Sequence, residues 1–202
     1  MYVIIAHDGL VGSVTEEKNN NNMTEIAVTD GVMEQVCTEL SQALIKPHIL
    51  KPWVIISAGS FNISYDKLGD LIPLYCYGEL DADEVIEKII DKLLTPLNDV
   101  WKIIKEKEGK LAICSLIPNH RIQMESPYKH ILTEAYDTAN AEIKIINERI
   151  SGCHYWIDKN LFHRNTHRLV KGYYDEDNLH LNSKGKKKVK QNINAIIKRF
   201  TS

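Results

Sequence analysis

Residues 53–57 read WVIIS, a short apolar run of the kind that forms a strand buried on both faces. Four comparable runs occur along the chain, at residues 2–6 (YVIIA), 25–28 (EIAV), 111–117 (LAICSLI) and 153–157 (CHYWI). Strands that are apolar on both faces are typical of a parallel sheet covered by helices on each side. We therefore predict five parallel strands joined by helical crossovers.

The segments between and after these runs have the period of amphipathic helices. Apolar residues recur every three or four positions at residues 30–45, 83–107, 129–150 and 183–200. Asp30 is placed to cap the first helix, and Pro96 is expected to kink or divide the second. Residues 65–80 contain two glycines and a proline and predict an irregular insertion.

The alternation of strands and helices predicts an α/β fold. We expect a flavodoxin-like three-layer α/β/α sandwich whose five-stranded parallel sheet has the order 2-1-3-4-5. The 202 residues are 44% hydrophobic and 26% charged, an ordinary globular composition that excludes a disordered chain, a collagen and a coiled coil. Because no linker divides the chain, residues 1–202 are expected to form a single domain. A chain that opens directly on its first strand favours a domain excised from a longer protein.

The sequence also predicts the cellular compartment. No window holds the roughly 20 consecutive apolar residues of a membrane span, and the N-terminus has no signal-peptide pattern. We therefore expect no membrane span and an intracellular, cytoplasmic location. The cysteines form no CxxC pair, and each is expected to be a buried free thiol: Cys37, Cys76, Cys114 and Cys153.

Neither a cofactor nor a metal is predicted. The GxG and GxxxxGK patterns of nucleotide-binding loops are absent. His163 and His167 have the i, i+4 spacing that can bind zinc on a helix, but no HExxH context or third ligand accompanies them.

Basic residues are concentrated at the C-terminal end. Residues 183–202 hold seven basic and no acidic residues, which leaves 18 of the 25 basic residues beside all 27 acidic ones in the rest of the chain. A cationic end on an anionic body can bind a polyanion such as RNA, can contact the body of its own fold, or can be a solvated helix face. The candidate binding residues are Lys184, Lys186, Lys187, Lys188, Lys190, Arg164 and Arg168.

A doubly wound sheet of this order binds its ligand at the carboxyl ends of strands one and three, where the winding reverses. The residues predicted to line this crevice follow the first three strands: His7, Asp8, Gly9, Asp30, Gly31 and residues 59–62. The loop after strand five adds Asp177 and His180, just before the last helix. An aspartate three residues before a histidine can accept its Nδ1 proton and leave Nε2 facing the crevice as a general base. A histidine at a loop–helix junction can equally be a surface or capping residue.

DNLHLNSKG at residues 177–185 resembles the final block of the SGNH (GDSL-type) hydrolases, which reads Asp-x-x-His-Leu-Asn-x-x-Gly. Other segments resemble the earlier blocks and strands of the family, namely TEIAVTDGVMEQV (24–36), KPWVIISAGSFNIS (51–64) and KLAICSLIP (110–118). The resemblance covers nearly the whole chain. The chain looks most like the compact SGNH domains of eukaryotic mobile elements. It also resembles the C-terminal domain of insect Oskar, which lacks a complete triad and binds RNA, but it differs from that domain in retaining Asp177 and His180.

The resemblance implies the roles of several residues. Active members use a serine after strand one as nucleophile, the last-block histidine as base and an aspartate that orients the base, and Asp177 and His180 match the last two. In active members the oxyanion is held by three donors, of which the first is the backbone N–H at the nucleophile position, here Gly9, and the second is the N–H of a glycine that Gly31 matches. Asn62 matches the asparagine of the same site if one residue is inserted, because Phe61 otherwise stands there.

The nucleophile itself is missing. The chain reads His7-Asp8-Gly9 where active relatives carry Gly-Asp-Ser, so Gly9 stands at the nucleophile position without a side-chain oxygen. Ser13 lies four residues further along the chain. A catalytic geometry must be met within about half an ångström, which makes rescue by Ser13 an unfavourable hypothesis.

These observations predict a pseudo-hydrolase that binds RNA or a protein, with Asp177 and His180 retained without a catalytic role. The alternative is an active ester hydrolase that uses His180 and Asp177 with Ser13 or with an activated water. A third interpretation is a protein-docking module that uses residues 65–80.

Overall fold

The computed structural model of the chain describes residues 2–9, 22–63, 69–117, 128–152, 155, 161–163, 168–170, 172–176 and 180–201. Asp177, Ser13 and Arg164, which the sequence singled out, lie outside these residues.

A parallel sheet forms the centre of the described structure. Its strands are β1 (Tyr2–His7), β2 (Met23–Ala27), β3 (Pro52–Ser57) and β4 (Lys110–Ile113), in the order β2-β1-β3-β4. This confirms the predicted α/β class and the order of the first four strands.

The described sheet has four strands rather than the five that were predicted. At the place of the fifth, Tyr155 forms an isolated parallel bridge with Cys114, and the Ser115 N–H donates to the Tyr155 carbonyl at 2.9 Å. The rest of residues 153–157 lies outside the described residues. The single bridge extends the sheet on the predicted side, beyond β4.

Helices cover the sheet on both faces. They are α1 (Met33–Leu44), α2 (Leu71–Cys76), α3 (Ala82–Glu106), α4 (Lys129–Ser151) and α5 (Ser183–Thr201). A 3₁₀ turn (Ser60–Asn62) follows β3, and a short antiparallel pair joins β5 (Phe162–His163) to β6 (Arg168–Leu169).

The alternation of side chains along the strands divides the core in two. Ile4 and Ile56 belong to the core shared with α1, α3 and α4, whereas Val3, Ile5 and Ile55 pack with the apolar face of α5. Each such buried side chain contributes about 1.5–3 kcal/mol relative to leaving it exposed. The sheet therefore separates α5 from α1 and α3.

One prediction about the helices was wrong, and one of the two alternatives for Pro96 is excluded. Asp30 does not cap α1, because the helix begins at Met33 with Val32 in the capping position. Asp30 instead has a left-handed backbone (φ 53°) in the turn before it. Pro96 does not divide α3, which runs from Ala82 to Glu106.

Residues 65–80, predicted as irregular, contain α2 from residue 71 onward. Cys37 and Cys114 are buried free thiols as predicted, and burial raises the pKa of Cys37 to about 12. Cys76 is free but exposed, with its Sγ 2.9 Å from the Tyr128 hydroxyl, so its predicted burial was wrong. Within the described ranges, no helix combines the length and apolarity that crossing a bilayer requires.

Candidate functional site

The carboxyl ends of the first three strands meet in register. His7 is the last residue of β1, and it lies opposite Ala27 of β2 and Ser57 of β3. The turns that follow these strands therefore share one edge of the sheet, which we call the crevice edge. It holds Gly9 and Gly31, with Asn62 and His180 reaching it from their own segments.

Gly9 has a backbone that admits no side chain. Its φ is +84°, a left-handed conformation that favours glycine. A Cβ at this position would lie 2.9 Å from the Cα of Thr29 and 3.6 Å from the amide nitrogen of Asp30. The turn after β1 is thus packed directly against the turn after β2. A serine side chain could be placed here only if one of the two turns moved.

His7 holds the turn after β1 in this shape. Its ring is buried, with 1% of the residue exposed, and Nε2 lies 2.9 Å from Oε1 of Glu25. The Gly9 N–H donates to Nδ1 at 3.1 Å, so Nδ1 carries a lone pair and the ring hydrogen is on Nε2, which donates to the carboxylate. Both ring nitrogens are occupied within the protein. Sequence reasoning placed His7 at the crevice but missed this role, because it depends on Glu25 of a neighbouring strand.

Gly31 belongs to an equally tight turn. A Cβ here would lie 2.6 Å from Cγ1 of Val28, and the Gly31 N–H donates to the Val28 carbonyl at 3.0 Å. The N–H that the family resemblance assigns to the oxyanion therefore already donates a hydrogen bond within the turn. With the Gly9 N–H bound to His7, two of the three expected oxyanion donors have partners within the chain.

The third expected donor is Asn62. Phe61 is buried in the core beneath α5, whereas Asn62 is half-buried at the crevice edge. The Asn62 Oδ1 accepts the Met33 N–H at 2.8 Å and thereby joins the 3₁₀ turn to the first turn of α1. This bond directs the amide oxygen toward α1 and leaves the two Nδ2 hydrogens as the donors that the side chain can offer. Asn62 rather than Phe61 thus occupies a position suited to the family asparagine, and its oxyanion role stays a prediction.

His180 reaches the crevice edge beside a carboxylate. Its Nε2 lies 3.4 Å from Oδ1 of Asp30, and the two side chains are 41% and 59% exposed. Nε2 is the atom that would act as a general base. Because Asp177 lies outside the described residues, its pairing with His180 stays a prediction. Within the described part of the chain, the His180 ring thus lies beside an acidic group on the turn after β2.

The other described residues of the C-terminal block (residues 177–185) make contacts that stabilise the fold. Leu181 is buried, and Asn182 accepts the N–H groups of Lys184 and Gly185 at 3.0 and 3.1 Å, which caps α5. The Asn182 Nδ2 donates to the carbonyls of Gly172 and Tyr174.

Gly185 packs against the same segment, because a Cβ there would overlap the carbonyl oxygen of Tyr173. The leucine, asparagine and glycine of the motif therefore join α5 to the segment that precedes it.

The predicted basic residues are only partly described. Lys184 and Lys187 are exposed, and Lys186, Lys188 and Lys190 are half-buried along α5. Arg168 lies in β6, and its side chain is outside the described residues. His163 lies in β5 rather than on a helix. Its i, i+4 spacing from His167 therefore does not place the two rings on one face of a helix, as the zinc interpretation would require.

At the level of sequence, neither a protein-family model nor a curated protein matches this chain. Solved structures do match. A proposed acylhydrolase from Bacteroides fragilis aligns with a TM-score of 0.66 and 13% identity, over 100% of this chain and 88% of that one. A GDSL-like lipase from Bacteroides thetaiotaomicron gives 0.65 and 14%, over 98% and 88%. The OSK domain of Drosophila Oskar gives 0.61 and 11%, over 95% and 86%.

These neighbours are the two groups of proteins that the sequence resembles, the GDSL acylhydrolases and the Oskar domains. At identities of 11–14% the likeness shows the fold alone. The chain therefore has the three-layer α/β fold of the SGNH hydrolases.

Proposed function

We propose that this chain is a single, intracellular SGNH-fold domain that binds a ligand without hydrolysing it, and that the ligand is RNA. The proposal has two parts, the loss of chemistry at the crevice edge and the binding surface on α5. Each part has its own support and its own test.

One observation supports the loss of chemistry above all others. The turn at Gly9 offers neither a hydroxyl nor room for one, and its N–H is bound to His7. An enzyme that acts by oxyanion stabilisation needs donors aimed at the substrate oxygen, and removing one such donor costs about 100- to 1000-fold in rate. Here the Gly31 N–H also has an internal partner. Without these two donors and without the nucleophile, only a small residual rate would remain, which is too low to be maintained by selection.

The RNA part rests on charge. The exposed lysines of α5 lie on a helix that carries no acidic residue. Lysines on one face can contact successive phosphates of a single strand and release its counterions on binding. The OSK domain of Oskar shares the fold. The choice of RNA as ligand is motivated by the sequence resemblance to the C-terminal domain of insect Oskar, which implies RNA binding.

Fluorescence anisotropy with a labelled single-stranded RNA, at several salt concentrations, tests this part. The double variant Lys184→Glu with Lys187→Glu should weaken binding and reduce the slope of log K against log salt by about 0.7 for each phosphate that a lysine no longer neutralises. The matched control is Lys88→Glu with Lys105→Glu, two exposed lysines of α3. Absence of salt-dependent binding by the unaltered chain, or equally weakened binding in both variants, would remove the RNA proposal.

Ester hydrolysis is the second candidate, since His180 lies exposed at the crevice edge beside a carboxylate. An imidazole in that position can activate a water, with Asp177 as the residue proposed to orient it through Nδ1, and Ser13 is the alternative nucleophile. Turnover of short p-nitrophenyl esters that disappears in His180→Ala would support this candidate. We expect no turnover above the His180→Ala level.

A protein ligand is the remaining alternative. Tyr77, which follows α2, is 81% exposed. The ring of Tyr75 packs edge-on against that of Tyr128, with 6.1 Å between the ring centroids. Exposed aromatic side chains are common at protein interfaces. Capture of a protein that depends on Tyr77, with no RNA binding, would favour this alternative over the proposal.

A further inference from the structure

A groove runs between α1 and α3, on the side of the sheet opposite α5. It consists of two adjoining cavities of about 540 and 440 Å³, which share Glu34, Thr95 and Pro96 as lining residues. On α1 it extends from Glu34 to Ile45, which is about 16 Å at 1.5 Å per residue. The groove is thus long enough to accept about three turns of another helix.

The groove has an apolar floor and an acidic rim. Pro96 lies at its middle, and Ile45, which is 70% exposed, lies at one end. Among the described residues that line the groove, three exposed carboxylates outnumber the one lysine, Lys92; they are Glu34, Asp91 and Asp99. Asp99 also pairs with Lys102 at 2.9 Å. A rim of this charge favours a cationic occupant.

Pro96 adds an uncharged acceptor to the groove. Because proline has no N–H, the carbonyl of Lys92 receives no hydrogen bond from the residue four positions later in α3. Lys92 and Pro96 both line the groove. A lysine side chain entering the groove can therefore donate to carboxylates and to a backbone carbonyl.

The outward face of α5 has the complementary pattern. Its exposed residues recur mostly at steps of three and four, with basic residues toward both ends and small or uncharged side chains between them: Ser183, Lys184, Lys187, Gln191, Asn194, Ala195, Lys198 and Arg199. The stretch from Lys184 to Lys198 is about 21 Å long. Basic ends with a small, uncharged middle allow a helix to lie close in a groove that has carboxylates along its rim.

Within one chain the two surfaces cannot meet. The inward residues Val189 and Ile193 hold α5 on one face of the sheet, whereas Leu40 and Leu93 hold α1 and α3 on the other. We propose that the outward face of α5 docks into the α1–α3 groove of a second copy of this chain. Because the two surfaces are different and lie on opposite faces, the contact repeats head to tail and builds open chains rather than a closed dimer.

The contact depends on charge and therefore on salt. The screening length falls from about 10 Å at 0.1 M salt to about 3 Å at 1 M. Light scattering coupled to size exclusion should show a mass that rises with protein concentration at about 0.1 M salt and returns to the monomer mass at about 1 M. RNA is left out of this experiment, because the proposed RNA surface uses the same face of α5.

Charge reversal identifies the partners. The groove variant Glu34→Lys with Asp91→Lys and the helix variant Lys184→Glu with Lys187→Glu should each remain monomeric at low salt. An equimolar mixture of the two should associate again, since each then offers a surface complementary to the other. The matched control for the groove is Glu134→Lys with Glu148→Lys, two exposed residues of α4 with the same change in charge, and it should associate like the unaltered chain.

Several results would overturn the proposal. A mass independent of concentration at low salt, even if a lysine-rich peptide binds the groove, would show that the occupant is not a second copy. Association that survives in the groove variant, or a mixture that stays monomeric, would place the contact elsewhere. A closed dimer that does not grow with concentration would contradict head-to-tail assembly.

Discussion

The C-terminal block and the turn after β1 lie at the same edge of the sheet, but they differ in which residues of the family motifs they retain. In the block, Asn182 caps α5 and Gly185 admits the carbonyl of Tyr173, so the motif residues are needed for the fold. At Gly9, the position that the family resemblance assigns to the nucleophile, there is no side-chain oxygen, and a Cβ would lie 2.9 Å from the Cα of Thr29. The contrast indicates that the residues of the C-terminal block can be retained for structural reasons, independently of catalysis.

The largest effect on stability is expected at Gly185, where the C-terminal block packs against the preceding segment. Gly185→Ala should destabilise the chain by about 3 kcal/mol, because its Cβ would overlap the Tyr173 carbonyl, a backbone atom that cannot rotate away. Denaturant unfolding followed by circular dichroism measures the free energy of unfolding. Gly152→Ala is the comparison variant: nothing lies within 4 Å of a Cβ there, and only the left-handed backbone (φ +69°) adds a strain of about 1 kcal/mol. Equal losses at the two glycines would show that close packing at residue 185 is not the cause.

The next effect concerns the turn after β1. Gly9→Ser should cost about 2 kcal/mol, since a side chain at φ +84° is strained and its Cβ would lie 2.9 Å from Thr29. It should also fail to create esterase activity, because the Gly9 and Gly31 amides keep their internal partners. Gly78→Ser, with a φ of +71° and open space around the Cβ, separates backbone strain from crowding. A stable and active Gly9→Ser variant would show that the crevice edge remains ready for catalysis.

Loss of the α5 cap should have a somewhat smaller effect. Asn182→Ala removes two accepted N–H bonds at the start of α5 and two donated bonds to the preceding segment, and we expect a loss of about 1.5 kcal/mol. Asn182→Asp retains the acceptor and should recover part of the loss. Unfolding curves of the three proteins give both values. If the aspartate variant is as unstable as the alanine variant, the cap is not the main contribution.

The smallest expected effect is at His180, which the family resemblance assigns to the general base. His180→Ala should change the free energy of unfolding by no more than about 0.5 kcal/mol, because the ring is 41% exposed and its contact with Asp30 is 3.4 Å long. The same unfolding measurement applies. A loss as large as that of Asn182→Ala would mean that His180 was retained for stability.

Local periodicity predicted most of the fold. The apolar runs located β1 to β4, and the three- and four-residue steps located α1, α3, α4 and α5, because these patterns depend on neighbours along the chain. The same patterns missed α2, where Gly69, Pro73 and Gly78 obscure the short helix, and they misplaced Asp30 as a cap.

The site was predicted less completely, for a physical reason. The missing hydroxyl at Gly9 is visible in the sequence, but the bond from its N–H to His7 depends on Glu25 in another strand. The bond between Asn62 and Met33 joins residues 29 positions apart, and that between His180 and Asp30 joins residues 150 apart. Such contacts exist only once the sheet has brought the turns together.

Labelling with a fluorophosphonate, followed by intact-mass spectrometry, shows whether the chain contains an activated serine. The reagent forms a covalent adduct with an activated serine, and an active GDSL hydrolase serves as the positive control. We expect the mass of this chain to remain unchanged while the control is fully labelled. A stoichiometric adduct on any serine, lost in His180→Ala, would contradict the proposal that the chain binds its ligand without a serine nucleophile.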